Sequence, residues 1–333
     1  MLTMHLLNTH KLQIKDFNHR DDDFPSYAIL SHLWGGHEQS FQDITKIIEA
    51  NALDPTIRAK NSWRRVSSKI TRFCRLAAEL GYDWGWVDTC CINKESSAEL
   101  SEAINSMFEW YSKADLCIAY MEDVGHPSAI AVNNGSSFRY SRWFTRGWTL
   151  QELIAPRAVM FVANDWEIIG TKATLSRLVS VASGIPIDVL TTPGAIARTS
   201  SLQRLLWTRE RETTRVEDRA YSLMGLFGVN MPTIYGEGEN AFRRLQEEIL
   251  KISSDQTLFA WGVCVIDSLG DDMETGDWPP GLLAPSFLPF QQWGSYYGSP
   301  EPLPVEQYPD AVDRKSTRLN SSHSGESRMP SSA

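Results

Sequence analysis

The sequence has no run of basic residues and no long apolar segment. Its 32 Lys and Arg residues are outnumbered by 41 Asp and Glu residues, which gives a formal net charge of −9. Nucleic-acid binding needs clustered Lys and Arg to neutralise phosphates, so this composition argues against nucleic acid as a partner. No apolar run approaches the roughly 20 residues that span a bilayer, and the first residues lack a signal-peptide pattern. We therefore expect a cytoplasmic protein without a membrane span.

The five cysteines fit no metal or disulfide framework. Their number is odd, and their spacing matches neither a zinc site nor a disulfide scaffold. Cys90 and Cys91 are adjacent, and neighbours on a strand point to opposite faces, so the pair is poorly placed to hold one ion. We predict no metal site and no cofactor, with reduced and buried thiols. A catalytic thiol at Cys90 or Cys91 would need a nearby histidine, for which His32 is the candidate.

Phosphate-binding loops and internal repeats are also missing from the sequence. Gly35 and Gly36 follow an apolar run, but they match neither the Walker spacing nor the dinucleotide-binding spacing. No period of about 30–45 residues is present, which excludes ankyrin and WD repeat arrays from this sequence. A sensor region is therefore not visible here, and we expect the trigger to come from a partner of unknown identity or from native sequence that residues 313–333 replace.

Strand and helix patterns alternate between residues 27 and 162. Short apolar runs predict strands at residues 27–31, 84–88, 116–120, 158–162 and 166–169. Amphipathic helices are predicted over residues 61–80 and from the capping box at Ser96 to Ala114. This alternation favours an α/β fold with a mostly parallel sheet. In such sheets ligands bind beyond the carboxyl ends of the strands, which include Ser31 and Asp88.

The rest of the chain divides into segments of different composition. Residues 1–24 are predicted to form a β-hairpin and a linker, and residues 125–140 a loop. Residues 171–265 are predicted to form a mainly helical unit. Its expected elements are helices at 175–182, 200–207, 213–227 and 239–252 and a closing strand at 255–265. Residues 266–312 are rich in Pro and Gly and are expected to be poorly ordered, and the Ser-rich residues 313–333 resemble non-native read-through.

The most distinctive segment, residues 141–153, reads Ser-Arg-Trp-Phe-Thr-Arg-Gly-Trp-Thr-Leu-Gln-Glu-Leu. It combines two tryptophans and two arginines with one carboxylate, Glu152, and predicts a short helix that ends at Ala155. Burial among aromatic side chains would raise the pKa of this acid, as a catalytic acid or base requires. The alternative is a structural helix in which Glu152 pairs with Arg142 or Arg146.

Four segments together resemble the fungal heterokaryon incompatibility (HET) domain. They are residues 27–35, 86–94, 96–107 and 146–153, and their order and spacing match. The resemblance places the domain at residues 25–170, with its core motifs at 27–155. Two residues depart from the family pattern: Leu33 stands where Thr or Tyr is more frequent, and Asn93 where Asp is more frequent. The resemblance implies an effector of self/non-self recognition that leads to programmed cell death.

The HET domain has in turn been likened to the TIR domain, a flavodoxin-like α/β fold with helices on both faces of the sheet. Some TIR domains cleave NAD at the nicotinamide–ribose bond with a glutamate that follows a Ser/Trp motif. Residues 141–153 are similar to that motif, with Glu152 at the position of the glutamate. The resemblance thus implies NAD as substrate and Glu152 as the catalytic residue.

The remaining candidate site residues divide by role. The candidates for substrate binding are Ser31, Trp34, Gly35, Asp88 and Trp148, and the candidates for structural support are Arg146, Trp143 and Gln151. A second hypothesis is a non-enzymatic death-signalling module that works by self-association, in which Glu152 and Arg146 form a structural pair. Its motivation is the count of twelve tryptophans together with the missing metal, phosphate and nucleophile motifs. Both hypotheses remain open from the sequence.

Overall fold

A computed structural model describes residues 3–18, 23–53, 63–126, 136–261, 282–287 and 290. Seven strands form one mixed sheet. They are β1 (Thr3–Asn8), β2 (Ile14–Asn18), β3 (Tyr27–His32), β4 (Trp84–Trp86), β5 (Leu116–Tyr120), β6 (Val159–Val162) and β7 (Ile168–Thr171). Their order across the sheet is β2-β1-β4-β3-β5-β6-β7. The predicted α/β class is confirmed.

The four central strands are parallel and reproduce a doubly wound arrangement. β3 pairs in parallel with β4 and with β5, and β5 pairs in parallel with β6. Numbered by chain position, these strands follow the order 2-1-3-4, which is that of flavodoxin-like sheets. All six residues of β3 are buried, because strands in the middle of a parallel sheet are covered on both faces.

Both edges of the sheet are antiparallel. β1 pairs with β2 and, through Leu7 opposite Gly85, with β4, while β7 pairs with β6. Met4, Leu6 and Leu7 of β1 are fully buried. The predicted hairpin is therefore an extension of the central sheet, and its apolar residues belong to the same core.

Helices connect the parallel strands. They are α1 (Phe41–Leu53), α2 (Ser68–Glu79), α3 (Ser97–Lys113), α4 (Ser136–Arg139) and α5 (Thr149–Ile154). A 3₁₀ turn, Arg142–Thr145, precedes α5. The helix predicted over residues 61–80 begins only at Ser68, where Ser67 caps it by accepting from the Ile70 amide. The segment predicted as a loop over residues 125–140 contains α4 at its end.

Helix α1, residues 41–53, is not among the predicted helices, although the sequence before it contains a helix-capping signal. Ser40 Oγ accepts from the Asp43 amide at 3.2 Å, and Asp43 accepts from the Ser40 amide at 2.9 Å. This reciprocal cap is the capping-box geometry with an aspartate. At the predicted capping box of α3, Ser96 accepts from the Glu99 amide, but the Glu99 carboxylate accepts from Asn93 at 2.8 Å. Asn93 thus helps to fix the loop before α3.

Beyond β7 the structure is mainly helical, as predicted. The helices are α6 (Ser176–Ser183), α7 (Ile187–Thr191), α8 (Ser201–Leu206), α9 (Asp218–Tyr221), α10 (Met224–Phe227) and α11 (Asn240–Ile252). The single helix predicted over residues 213–227 is wrong, since α9 and α10 are separate short helices. The strand predicted over residues 255–265 is also wrong in its described part, because Gln256–Phe259 is a 3₁₀ turn capped by Asp255.

Part of the Pro- and Gly-rich segment packs against α11. Phe287 stacks on Phe242 with ring centroids 3.7 Å apart, and Phe290 is fully buried. These residues belong to the segment that was expected to be poorly ordered. Residues 313–333, interpreted as a read-through tail, lie outside the described residues. Within the described part of the chain, no helix has the length and apolar character needed to cross a membrane.

Candidate functional site

The carboxyl ends of β3 and β5 mark the point where the strand order changes direction. The chain first moves from β3 to β4 on one side, then crosses back to β5 on the other side. Ligands in doubly wound sheets bind at such switch points. Ser31 lies near the end of β3, and α5, which carries Glu152, packs against this strand. The fold therefore brings the predicted catalytic acid to the expected edge of the sheet.

Glu152, Ser31 and Trp143 form a buried chain of hydrogen bonds, which we call the Glu152 site. The Ser31 hydroxyl donates to Glu152 Oε2, and Trp143 Nε1 donates to Ser31 Oγ at 2.8 Å. Glu152 is 6% exposed, and Ser31 and Trp143 are fully buried. The chain of bonds links β3, the 3₁₀ turn and α5, so it fixes the position of the Glu152 carboxyl.

Burial strongly affects the acidity of Glu152. Removal of the carboxyl from water raises its pKa to about 8, although the Ser31 hydroxyl and the positive charges of Arg146 and Arg211 act in the opposite direction. The nearby Asp88 carboxylate adds to the increase. At neutral pH the carboxyl is therefore mostly protonated in this arrangement.

The structural alternative requires an ion pair between Glu152 and Arg142 or Arg146, and both arginines have other partners. Arg142 lies beside Asp123 at 3.5 Å and Glu122 at 3.8 Å, while Arg146 donates to Thr214 at 2.9 Å. Over the described ranges, no cationic nitrogen lies within 4.0 Å of the Glu152 carboxyl. Arg146 acts on Glu152 only over a longer distance, through its charge.

Arg211 is not among the predicted site residues, but its side chain supports the start of α5. Its guanidinium donates to the Arg146 carbonyl at 2.8 Å and to Thr149 Oγ1 at 2.9 Å. The side chain is only 4% exposed, and burial lowers its pKa to about 9. At the other end of α5, the buried Lys172 donates to the carbonyls of Leu153 and Pro156 at 3.0 and 2.6 Å. Both contacts are long-range, so no local sequence pattern indicates them.

A second polar cluster lies at the ends of β3 and β4. The two ring nitrogens of His32 lie 3.8 Å from Glu38 Oε2 and from Asp88 Oδ1. Burial alone would raise the pKa of Glu38, but His32, Lys69 and the Gly35 amide together lower it to about 2. Gly35 donates its amide to Glu38 at 2.6 Å. The amide of Gly35, a predicted substrate-binding residue, is therefore already bonded to Glu38 in this conformation.

Trp34 and Asp88, two predicted substrate-binding residues, are in direct contact. Trp34 Nε1 donates to Asp88 Oδ2 at 2.7 Å, and Lys94 Nζ lies 3.8 Å from the centre of the Trp34 ring. Trp34 is 52% exposed, so one face of its ring remains accessible. Because the Asp88 charge also acts on Glu152, the exposed aromatic group and the buried acid belong to the same edge of the sheet.

Trp148 and Gln151, two further predicted site residues, lie outside the Glu152 site. Trp148 is half-buried and provides a hydrogen bond to Asp218 of α9. Gln151 is 1% exposed, and its Nε2 has no hydrogen-bond partner in the described structure. Neither side chain is in the Glu152 site, although Trp143, predicted as structural, is part of it.

Among the described residues, the two adjacent cysteines show no sign of a reactive thiol. Cys90 and Cys91 are buried, and the contact with Cys91 together with burial raises the pKa of Cys90 well above its usual value. A catalytic cysteine requires the opposite change, because the thiolate is the reactive form. His32 lies between carboxylates rather than beside a thiol, which removes the basis of the cysteine hypothesis.

No described cavity includes Glu152 in its lining. A cavity of about 530 Å³ lies beside Arg211 and Phe144, and another of about 470 Å³ lies between the hairpin and α2. In this conformation the Glu152 carboxyl is thus covered.

Comparison with known proteins agrees with the sequence motifs. Residues 27–137 match the family model of the heterokaryon incompatibility protein (HET), and residues 240–278 match that of a domain of unknown function, DUF8212. The chain is 40% identical over 282 residues to the vegetative incompatibility protein HET-E-1 of Podospora anserina. This match covers 81% of the chain but 20% of the relative, so the chain spans about a fifth of its length. No solved structure matches the chain.

The molecule is thus an α/β protein with a doubly wound central sheet and a buried acid at the switch point. Residues 27–137 match the heterokaryon incompatibility family, which confirms the resemblance found in the sequence. Glu152 lies beyond the matched range, but its helix α5 packs against β3, which is inside that range. The likeness to TIR domains stays a prediction.

Proposed function

We propose that this chain carries an effector domain of fungal vegetative incompatibility, which triggers cell death after recognition of non-self. The HET match and the 40% identity to a protein named for vegetative incompatibility support this proposal. We further propose that the domain acts after self-association, prompted by a recognition partner outside the chain. The chemistry would then depend on a site that is covered in the resting domain.

For this chemistry we propose the hydrolysis of NAD at its nicotinamide–ribose bond, with Glu152 as the catalytic residue. The observation that carries the proposal is the position of Glu152 at the β3/β5 switch point, where Ser31 holds its carboxyl and Trp143 holds Ser31. Cleavage of a glycosidic bond passes through an oxocarbenium-like state, which a carboxylate stabilises by its negative charge. Glu152 would bind the ribose hydroxyls and provide that charge.

The environment of Glu152 sets the conditions for this reaction. The carboxyl must be ionised to stabilise a positive charge, but burial raises its pKa to about 8. Opening of the site would admit water and substrate and would lower the pKa toward its ordinary value. The half-exposed ring of Trp34, held by Asp88, would then stack on the nicotinamide or the adenine. Activity thus requires a conformational step, which self-association would supply.

A non-enzymatic interaction module is the second candidate. Two observations favour it: Glu152 is 6% exposed, and none of the described cavities reaches it. In this case the Glu152 site is a structural link between β3 and α5, and the domain signals through contacts with other copies. The two candidates make opposite predictions for a Glu152 variant that folds.

The test compares NAD consumption by the wild-type chain, Glu152→Gln and Glu122→Gln at matched concentrations. Glu122 is a half-exposed acid outside the Glu152 site, so its variant is the control. We expect Glu152→Gln to lose at least 100-fold in rate while Glu122→Gln retains wild-type activity. Equal rates for wild type and Glu152→Gln would reject Glu152 as the catalytic residue. Cell killing by folded Glu152→Gln without NAD loss would support the interaction module.

A further inference from the structure

A cavity of about 530 Å³ lies between the 3₁₀ turn before α5, the end of α6 and the end of α8. Its lining includes Arg139, Tyr140, Ser183, Trp207, Arg209 and Arg211. The volume lies within the range of roughly 300–1,000 Å³ that is typical of small-molecule sites. Glu152 is not part of this lining, so the cavity is separate from the Glu152 site.

The charges around the cavity are predominantly positive. Three arginines contribute to the lining, whereas Glu210 is its one acidic residue in the part of the chain that the structure describes. Arg209 lies 3.5 Å from Glu210, whose charge also acts on Arg211, so one acid faces three arginines. Guanidinium groups bind phosphates and carboxylates through paired hydrogen bonds.

Arg211 is the residue that points most clearly to an anion. It is 4% exposed, and its Nη2 has no hydrogen-bond partner among the residues described here. No described carboxylate lies within 4.0 Å of its guanidinium. A buried charge is costly unless a counter-ion or a full set of hydrogen bonds compensates it. Glu152 and Glu210 act on Arg211 through their charges, and an anion in the adjacent cavity would add the direct partner that Nη2 lacks.

Aromatic and apolar groups form the other part of the lining. Tyr140 is 73% exposed, and the Arg139 guanidinium lies 5.3 Å from the centre of its ring. Trp207 is largely buried behind the lining, and Val181 is 56% exposed at the rim. An exposed tyrosine ring beside a guanidinium plane is suited to the stacking of a planar base.

We propose that this cavity binds a mononucleotide, with its phosphate on Arg211 and Arg209 and its base against Tyr140. The ligand would also be linked to α5, because Arg211 donates to Thr149 and to the Arg146 carbonyl at the beginning of that helix. The site is independent of any reaction at Glu152. It provides a route by which a soluble nucleotide changes the stability of the helix that carries Glu152.

The test is calorimetric titration of the full chain with AMP and, separately, with inorganic phosphate. We expect saturable binding of AMP that weakens at least tenfold in Arg209→Ala and in Tyr140→Ala. Arg243→Ala serves as the control, since Arg243 is an exposed arginine on α11 that does not line the cavity. Thermal melting of each variant verifies that it is folded. Glu152→Gln should bind AMP as the wild type does, which separates this proposal from the enzymatic one.

Three outcomes would overturn the proposal. They are the absence of saturable AMP binding to the folded wild type, equal affinity for AMP and inorganic phosphate, and unchanged AMP affinity in Arg209→Ala and Tyr140→Ala. Protection of backbone amides from hydrogen exchange locates the bound ligand. AMP should protect the amides of residues 180–184 and 203–211 and of the first turn of α5, and protection confined to other segments would contradict the assignment.

Discussion

Glu152 is a buried acid whose proton is coupled to folding. Its pKa is about 8 in the folded state against an ordinary value of 4.5. Between these values the folded state retains a proton that the unfolded state releases, so the free energy of unfolding decreases as the pH rises. The contribution is complete below pH 4.5 and is lost once the pH passes about 8.

Glu152→Gln should therefore flatten the pH dependence of stability. The amide resembles the protonated acid in shape and cannot ionise, so the variant avoids the loss of about 1.4 kcal/mol per pH unit that the acid imposes. Urea unfolding at half-unit steps from pH 5 to pH 9 measures the effect. We expect the variant to be more stable than the wild type at pH 9, with Glu122→Gln as control. Parallel pH profiles for wild type and Glu152→Gln would contradict the raised pKa.

Ser31 links Trp143 to Glu152 in the Glu152 site, so its replacement should destabilise the protein. Ser31→Ala removes the acceptor of Trp143 Nε1 and the donor to Glu152, and both groups are buried. An unsatisfied buried polar group costs about 1–3 kcal/mol. We expect a loss of stability of this size at pH 6, measured by urea unfolding, and almost none for Ser112→Ala on the exposed end of α3. Wild-type stability of Ser31→Ala would mean that these bonds contribute little.

How far the sequence predicts the site depends on the distance along the chain between its residues. Glu152 and Trp143 stand in one short motif, and Ser31 ends a recognisable apolar run, so all three were identified from sequence. Arg211 is far from them in sequence and lies in a segment without distinctive pattern. Its contact with Thr149 results from the packing of the helical unit against α5, which local periodicity does not encode.

At the scale of elements, the packing of α10 against α3 depends on Gly225. A Cβ added at this position would lie 2.1 Å from Cβ and 2.6 Å from Cγ of Phe108 on α3. The glycine lowers helix propensity but allows two helices to meet.

Gly225→Ala should consequently separate α10 from α3 and destabilise the protein by about 1–3 kcal/mol, the usual cost of overpacking a core. Gly36→Ala is the matched control, because an added Cβ at Gly36 meets no atom within 4 Å. Thermal melting of both variants measures the difference. If the two variants have the same melting temperature, α10 and α3 are free to shift apart, and the contact at Phe108 is not a constraint.

The strands were easier to predict than the helices for a physical reason. Central strands such as β3 are buried along their whole length and appear as unbroken apolar runs. Of α1, only Ile44 and Asn51 are fully buried, so its apolar pattern is weak, and the signal at Ser40 and Asp43 is confined to its first turn. The pattern over residues 213–227 predicts one helix and does not indicate the break between α9 and α10.

At the scale of the whole molecule, the sheet and its helices extend beyond the range that matches the family. Residues 27–137 contain β3, β4 and β5. They omit β1, which pairs with β4, and β6, which pairs with β5. They also omit α5, whose Glu152 accepts from Ser31 of β3, and α10, which packs on α3. The matched range is thus the centre of a larger folding unit.

A fragment of residues 27–137 should not fold alone, whereas a fragment of residues 1–290 should. The shorter fragment leaves both edges of its three-stranded sheet unpaired and exposes the apolar face of α3, which favours aggregation. The longer one retains the complete sheet and Phe287 and Phe290, which pack against α11. Circular dichroism during heating distinguishes the two, since only a folded core unfolds cooperatively. Cooperative unfolding of the 27–137 fragment would mean that three strands suffice and that Glu152 belongs to a unit added to an autonomous domain.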